Sequence, residues 1–194
     1  MAKEPSDGAL LNLLLGLWLG GSIVVWGVVG YNFAGIPRIL DNHPELANRS
    51  GLDPGDSEYP GKVKTSVIWV YSSELNRAYF TYWGFAQLGL ALAALLAAIW
   101  GRHGVFLTGL VIAAGALAAY SYFWQIPEII TVGTSLDFVP RDPPPSQLET
   151  FHRLHKSSLF TDFGRGALII LATILCIMRT RRASKAFLEA SSHS

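Results

Sequence analysis

The chain has 194 residues, of which 51% are hydrophobic and only 15% are charged, and its net charge at pH 7 is +1. Soluble domains carry about 25% charged residues, so this composition argues against an ordinary water-soluble domain. The small net charge gives no electrostatic basis for binding nucleic acid, and the single cysteine, Cys176, excludes an intrachain disulfide.

Three long stretches contain no Asp, Glu, Lys or Arg, at residues 8–37, 78–101 and 103–127. They predict the first three transmembrane helices, at about 10–31, 75–100 and 105–125. A helix needs roughly 20 apolar residues to cross a hydrocarbon core about 30 Å thick. A cleaved signal peptide is the alternative for the first stretch. Its leading residues, MAKEPSD, lack a net basic charge and its apolar run is too long, which favours a membrane helix.

The connection at residues 32–74 is polar and rich in Pro, Gly, Asp and Asn, which favour turns. Near its end, residues 63, 65, 67, 69 and 71 are apolar, aromatic or Thr at a period of two. This spacing is typical of a short strand, but it also fits an interfacial segment that leads into helix two.

Helices two and three are joined by only four residues, Gly101 to Gly104, so they must be antiparallel neighbours. Pro127 lacks a backbone N–H and is predicted to end helix three. A second long polar connection, 128–157, then follows and contains a proline-rich spacer.

Helix four is predicted at residues 158–178, with an earlier start near Pro145 as the alternative. This helix includes Asp162 and Arg165, which share a face at i, i+3 and can form an ion pair near a membrane end. The basic tail, 179–194, follows. The sequence therefore predicts an all-α integral membrane four-helix bundle with two long outward loops, forming one membrane domain over residues 1–194.

The basic cluster after Met178 predicts the sidedness, because cytoplasmic flanks of membrane helices are enriched in Lys and Arg. It places the C-terminus in the cytoplasm, and four crossings place the N-terminus there too. The predicted location is a membrane, the bacterial inner (plasma) membrane.

Helix one contains small residues at the spacing that lets membrane helices approach closely, Gly16, Gly20 and Gly21, and a mid-helix aromatic, Trp18. Packing within one bundle is the favoured interpretation. The alternative is a GxxxG face that forms a homo-oligomer or contacts another membrane protein.

His152 and His155 are the strongest candidates for ligand binding, because imidazoles at i, i+3 share a helix face and can bind a metal or face a haem. Glu128 is a candidate third ligand. The alternative is a pair of ordinary interfacial histidines, and the spacing alone favours that interpretation. No cofactor is therefore predicted, with haem or copper kept as the alternative.

No phosphate-binding loop, HExxH, GxSxG or CxxC motif occurs, so no catalytic residue is predicted. The interiors of helices one to three offer no ionisable group apart from tyrosines, which argues against a pump working within one protomer. A small transporter or channel would then need a polar path in an oligomer, lined by Gln87, Tyr120 and Ser121.

The first helix, LGLWLGGSIVVWGVVGYNFAGIP, resembles that of the bacterial domain-of-unknown-function 4149 proteins and the eukaryotic transmembrane protein 205-like group. In those families a Trp and small residues are followed by an aromatic residue and a Pro just outside the helix. Trp18, Gly20, Gly21, Phe33 and Pro37 occupy the corresponding positions here.

Two further segments resemble the same families. Helix three ends in an aromatic residue followed by Pro, at Trp124 and Pro127, and FHRLHKSS resembles a lead into helix four at Phe151, His155 and Ser158. The resemblance implies a four-helix membrane protein without a known catalytic role, acting as an accessory or small-molecule-binding protein.

A more distant resemblance, in the Trp-x-Gly-Gly pattern of helix one, is to the copper-resistance D proteins and the membrane protoporphyrinogen oxidase of bacteria. In those proteins, histidines within the helices are linked to metal or haem. This chain departs from those proteins at that point, because it has no histidine in any predicted helix.

Overall fold

The structure is a computed structural model that describes residues 7–42, 67–137, 139 and 144–191. No strand occurs among these residues, and nearly all of them belong to four helices: α1 (Asp7–Asn42), α2 (Val67–Trp100), α3 (Val105–Thr134) and α4 (Gln147–Ser191). All four are long and apolar enough to span a membrane. The predicted all-α four-helix bundle is therefore confirmed.

The helices extend beyond the predicted apolar spans. Both long connections are consequently shorter than predicted, because α1 continues to Asn42, α2 begins at Val67 and α4 begins at Gln147. Hydropathy detects only the part of a helix that lipid surrounds, whereas polar turns outside it remain helical. Residues 67–71 are helical rather than extended, and the rest of the suggested strand lies outside the described residues.

The prediction that Pro127 ends helix three is wrong, because α3 continues to Thr134. A π-helical segment, Ser121–Gln125, precedes the α-helical turn that contains Pro127. Proline is tolerated in the first turn of an α-helical segment, and the i→i+5 bonding of a π segment changes the local hydrogen-bond register. The wider turn thus accommodates a residue that would otherwise interrupt the helix.

The contacts divide the chain into two compact units, each containing a part of all four helices. Unit 1 comprises Met1–Ile23, Gly84–Ser121 and Leu159–Ser194, and unit 2 comprises Val24–Trp83 and Tyr122–Ser158.

The core of unit 1 is built from buried positions spaced three and four residues apart, which is one face of a helix. These positions are Leu11, Leu15 and Trp18 on α1, Ala94 and Ala98 on α2, Leu107, Val111, Ala114 and Ala118 on α3, and Arg165, Ile169, Ala172 and Cys176 on α4. Small residues bring α2 and α3 together, since a Cβ built on Gly115 would lie 3.4 Å from the Cβ of Ala91.

Most residues of the four apolar spans are not buried within the protein. In the most apolar stretch of each helix, only 11% to 28% of the residues are buried. Soluble monomers rarely expose a continuous apolar surface of this extent, whereas lipid tails solvate it well.

Candidate functional site

A buried hydrogen bond joins α1 and α2 within unit 1. The indole Nε1–H of Trp18, which is 0% exposed, donates to Oε1 of Gln87 at 3.0 Å, and Gln87 is 4% exposed. A buried indole needs an acceptor, and Gln87 provides one from the neighbouring helix. Gln87, Tyr120 and Ser121 are the residues that would line a polar path in an oligomer. Gln87 and Ser121 lie inside the protomer, whereas Tyr120 is exposed.

The structure also brings Asp162 and Arg165 together on α4. Nη2 of Arg165 donates to Oδ1 of Asp162 at 2.6 Å, and Arg165 is 3% exposed. The sequence places this pair near a membrane end, and that placement stays a prediction. Arg165 is the nineteenth of 36 residues in the helical stretch Gln147–Arg182, which is longer than a bilayer crossing needs.

The two polar pairs lie at one level of unit 1. The Cys176 thiol is 3.7 Å from the carbonyl oxygen of Gly8, so the start of α1 lies beside the last part of α4. Each helical residue rises about 1.5 Å. Trp18, ten residues after Gly8 on α1, therefore lies at the same level as residue 166, which is ten residues before Cys176 on α4. We call Trp18, Gln87, Asp162 and Arg165 the polar layer.

The polar layer is not fully satisfied by the protein. Nη1 of Arg165 is buried and has no hydrogen-bond partner among the described residues. A buried donor without an acceptor costs about 1 to 3 kcal/mol, and more when it is charged. An acceptor from outside the polypeptide would remove this cost.

Unit 2 contains a polar contact that the sequence analysis missed. Nδ2 of Asn32 donates to Oδ1 of Asn76 at 2.7 Å, and Nδ2 of Asn76 donates to the carbonyl oxygen of Val29 at 3.4 Å. These bonds join α1 to α2. The predicted boundaries place Asn32 in a loop, so its contact with Asn76 could not be anticipated from them.

Arg77 on α2, which is half-buried, forms another arginine-centred ion-pair system. It makes a bidentate contact with Asp137, at 2.8 and 3.0 Å, and a 2.6 Å bond to Glu74. This contact joins α2 to the turn that follows α3. Arg77 is the eighth of 31 residues in the candidate span Val70–Trp100. In the predicted helix, 75–100, it is only the third residue, so this charged side chain lies further from the start of the helix than predicted.

The candidate ligands His152 and His155 both lie on α4, and both are exposed. The His155 ring is nearly parallel to that of Phe151, with centroids 6.1 Å apart, and Glu128 on α3 is also exposed. Within the described ranges, no three His, Cys, Asp or Glu side chains come close enough to hold one metal ion. Metal or haem binding at these histidines stays a prediction.

Gly16 and Gly20 on α1 do not make the close helix contacts that the sequence predicts for them. A Cβ built on Gly16 or on Gly20 would meet nothing within 4 Å, so neither is needed for close helix contact within the bundle. Gly21 is half-buried and Trp18 is buried. The GxxxG homo-oligomer alternative for Gly16 and Gly20 stays a prediction.

Four long apolar helices, with polar pairs turned inward and apolar side chains turned outward, define a multi-pass membrane protein. Comparison with known proteins found no matching family model, no similar curated protein and no similar solved structure. The resemblance to the 4149 and transmembrane protein 205-like families therefore stays a prediction.

Proposed function

We propose that this membrane protein binds a small apolar molecule through a neutral hydrogen-bond acceptor, such as a carbonyl oxygen, in the polar layer. It would act as a ligand-binding or accessory protein rather than as an enzyme. The observation that supports the proposal is the buried Nη1 of Arg165, which no described residue accepts a bond from.

Charge balance favours a neutral acceptor over an anion. Asp162 already neutralises Arg165 across 2.6 Å. A second anion would leave a net negative charge inside an apolar helix bundle, and an uncompensated charge at the centre of a membrane helix costs about 2.5 kcal/mol or more. A carbonyl oxygen accepts the free N–H without adding charge, and the rest of an apolar molecule is compatible with lipid.

The test uses purified protein and two carbonyl probes, a short-chain ubiquinone and dioctanoylglycerol. We expect at least one of them to raise the Tm of the wild type. In an Asp162→Asn/Arg165→Met double variant neither probe should do so, because that variant removes the donor without leaving an unpaired charge. Trp100→Phe, at an exposed site, serves as the control and should respond like the wild type.

Two outcomes would overturn the proposal. Equal shifts in the wild type and the double variant would place binding elsewhere. No shift with either probe, together with no co-purified small molecule in native mass spectrometry of the wild type, would mean that water completes the bonding of Arg165.

Metal or haem binding by His152, His155 and Glu128 is the second candidate function. The structure supports it only in that both imidazoles are accessible on α4. An absorption spectrum and metal analysis of the wild type and of a His152→Ala/His155→Ala variant test it. A colourless, metal-free wild type would refute it.

We also propose a location in a bacterial inner membrane with both termini in the cytoplasm. The basic residues that follow Met178 support this sidedness through the positive-inside rule. A tag placed after Ser194 should be inaccessible from outside intact cells, and labelling there would reverse the orientation.

A further inference from the structure

Basic residues from the turn between α2 and α3 and from α4 meet at one end of unit 1. The turn between α2 and α3 lies against α4, since a Cβ built on Gly104 would be only 2.9 Å from Nη1 of Arg179. Arg102 lies in the same turn, and Arg181, Arg182 and Lys185 follow on α4. All of them are exposed. We call Arg102, Arg179, Arg181, Arg182 and Lys185 the basic collar.

The basic residues that α4 contributes to the collar have few carboxylate partners among the described residues. Lys185 has a distant contact with Glu189 at 3.9 Å, and Asp162 is bonded to Arg165. In the described part of the chain, no carboxylate pairs with the arginines at 179, 181 and 182. The α4 part of the collar is therefore a strongly positive surface on a chain whose net charge is only +1.

Arg102 occupies its position at a conformational cost. The His103 N–H bonds to the Ala98 carbonyl and the Arg102 N–H to that of Ile99, which is a Schellman ending of α2. The φ of Arg102, 47°, lies in the left-handed region, where glycine is the usual residue and any other residue costs about 1 kcal/mol or more. A cation kept at a strained position suggests a function for its charge.

Apolar and aromatic side chains border the collar. Trp100 is 77% exposed, Val105 is 92% exposed and Phe106 is also exposed, all within five residues of Arg102. Tryptophan beside cations is typical of the level at which lipid headgroups meet hydrocarbon. An acidic soluble partner would match the cations but not this apolar border.

We propose that the basic collar binds anionic phospholipid headgroups at this end of the bundle. The arginines donate to headgroup phosphates, while Trp100 and Phe106 lie at the upper part of the acyl chains. A phosphate is an acceptor that suits the fork geometry of arginine. This site is separate from the polar layer and does not depend on the function proposed there.

The test measures retention and titration of phosphatidylglycerol, against phosphatidylcholine, on the purified full chain by native mass spectrometry. We expect preferential, salt-sensitive binding of phosphatidylglycerol by the wild type. An Arg179→Gln/Arg181→Gln/Arg182→Gln variant should bind it at least about tenfold more weakly, since each basic residue near an anionic surface contributes about 1 kcal/mol.

Two further variants separate the lipid site from general effects. Arg153→Gln/Lys156→Gln removes exposed cations elsewhere on α4 and should leave the binding of phosphatidylglycerol unchanged. Arg102→Gly should weaken that binding while the protein becomes as stable as the wild type or more stable, because glycine relieves the strain. Equal affinity for both lipids, or equal losses in the control and the triple variant, would overturn the proposal.

Discussion

The hydrogen bond between Trp18 and Gln87 can be measured with a double-mutant cycle. The variants are Trp18→Phe, Gln87→Leu and the combination of both. Each single variant leaves one buried group without its partner, while the double variant removes donor and acceptor together. The cycle subtracts the packing lost with the smaller Phe ring, so the remaining coupling energy reports the bond itself.

The expected coupling is modest despite complete burial. An amide-type hydrogen bond in an apolar medium is worth about 4 to 6 kcal/mol. Polar contacts between membrane helices nevertheless average about 0.6 kcal/mol and reach about 1.7, because the unfolded chain in lipid also finds partners. The bond is 3.0 Å long and its two residues are 0% and 4% exposed, so we expect a value of about 1 to 1.7 kcal/mol, in the upper part of the measured range.

The free energy of unfolding of all four proteins should be measured in one detergent or bicelle system, by SDS titration or steric trapping. Trp100→Phe is the matched control, since it makes the same chemical change at a site that is 77% exposed. Additive effects of the two single variants, within about 0.3 to 0.5 kcal/mol, would refute the inference that this bond stabilises the bundle.

Three further variants test other contacts. Asp137→Asn removes the bidentate partner of Arg77 and should lower the free energy of unfolding by about 1.5 to 3 kcal/mol in SDS titration. Asn76→Leu removes two bonds that join α1 to α2 and should cost about 1 kcal/mol in the same assay. Gly104→Ala forces alanine to a φ of 87° and should cost about 1 to 2 kcal/mol, whereas Gly109→Ala, on an open helix face, should be nearly neutral. An unchanged SDS-denaturation midpoint for Asp137→Asn, Asn76→Leu or Gly104→Ala would contradict the role assigned to that residue.

The number and type of the helices could be predicted from the sequence, because a charge-free stretch longer than the bilayer thickness rarely occurs outside a membrane helix. The helix ends could not. The ends of α1 and α4 carry Arg, Asn and His, which hydropathy assigns to loops although a helix outside lipid tolerates them. Pro127 was misleading for a related reason, since its effect depends on the π-helical segment before it, and the sequence contains no clear signal for that segment.

The partners within the bundle were beyond sequence reasoning. Gln87 stands out as a polar residue in an apolar helix, but its bond to Trp18 depends on how α1 and α2 are rotated about their axes. The same holds for Gly16 and Gly20, whose spacing favours helix contact although both face open space. The pairing of Asp162 with Arg165 could be predicted because both residues lie on one helix. The bidentate contact between Arg77 and Asp137 could not, because it joins α2 to the turn after α3.

The presence of Asp162 and Arg165 within α4 also bears on how the chain enters a membrane. At the centre of an inserting segment, each such residue opposes transfer from the translocon by about 2.5 to 3.5 kcal/mol when it is alone. Because the two lie at i, i+3, α4 can carry them in as an internally neutralised pair, provided that the segment is already helical. In a translocon assay with glycosylation tags, α4 with Asp162→Ala alone should therefore insert no better than the wild-type segment, although it carries one charge fewer.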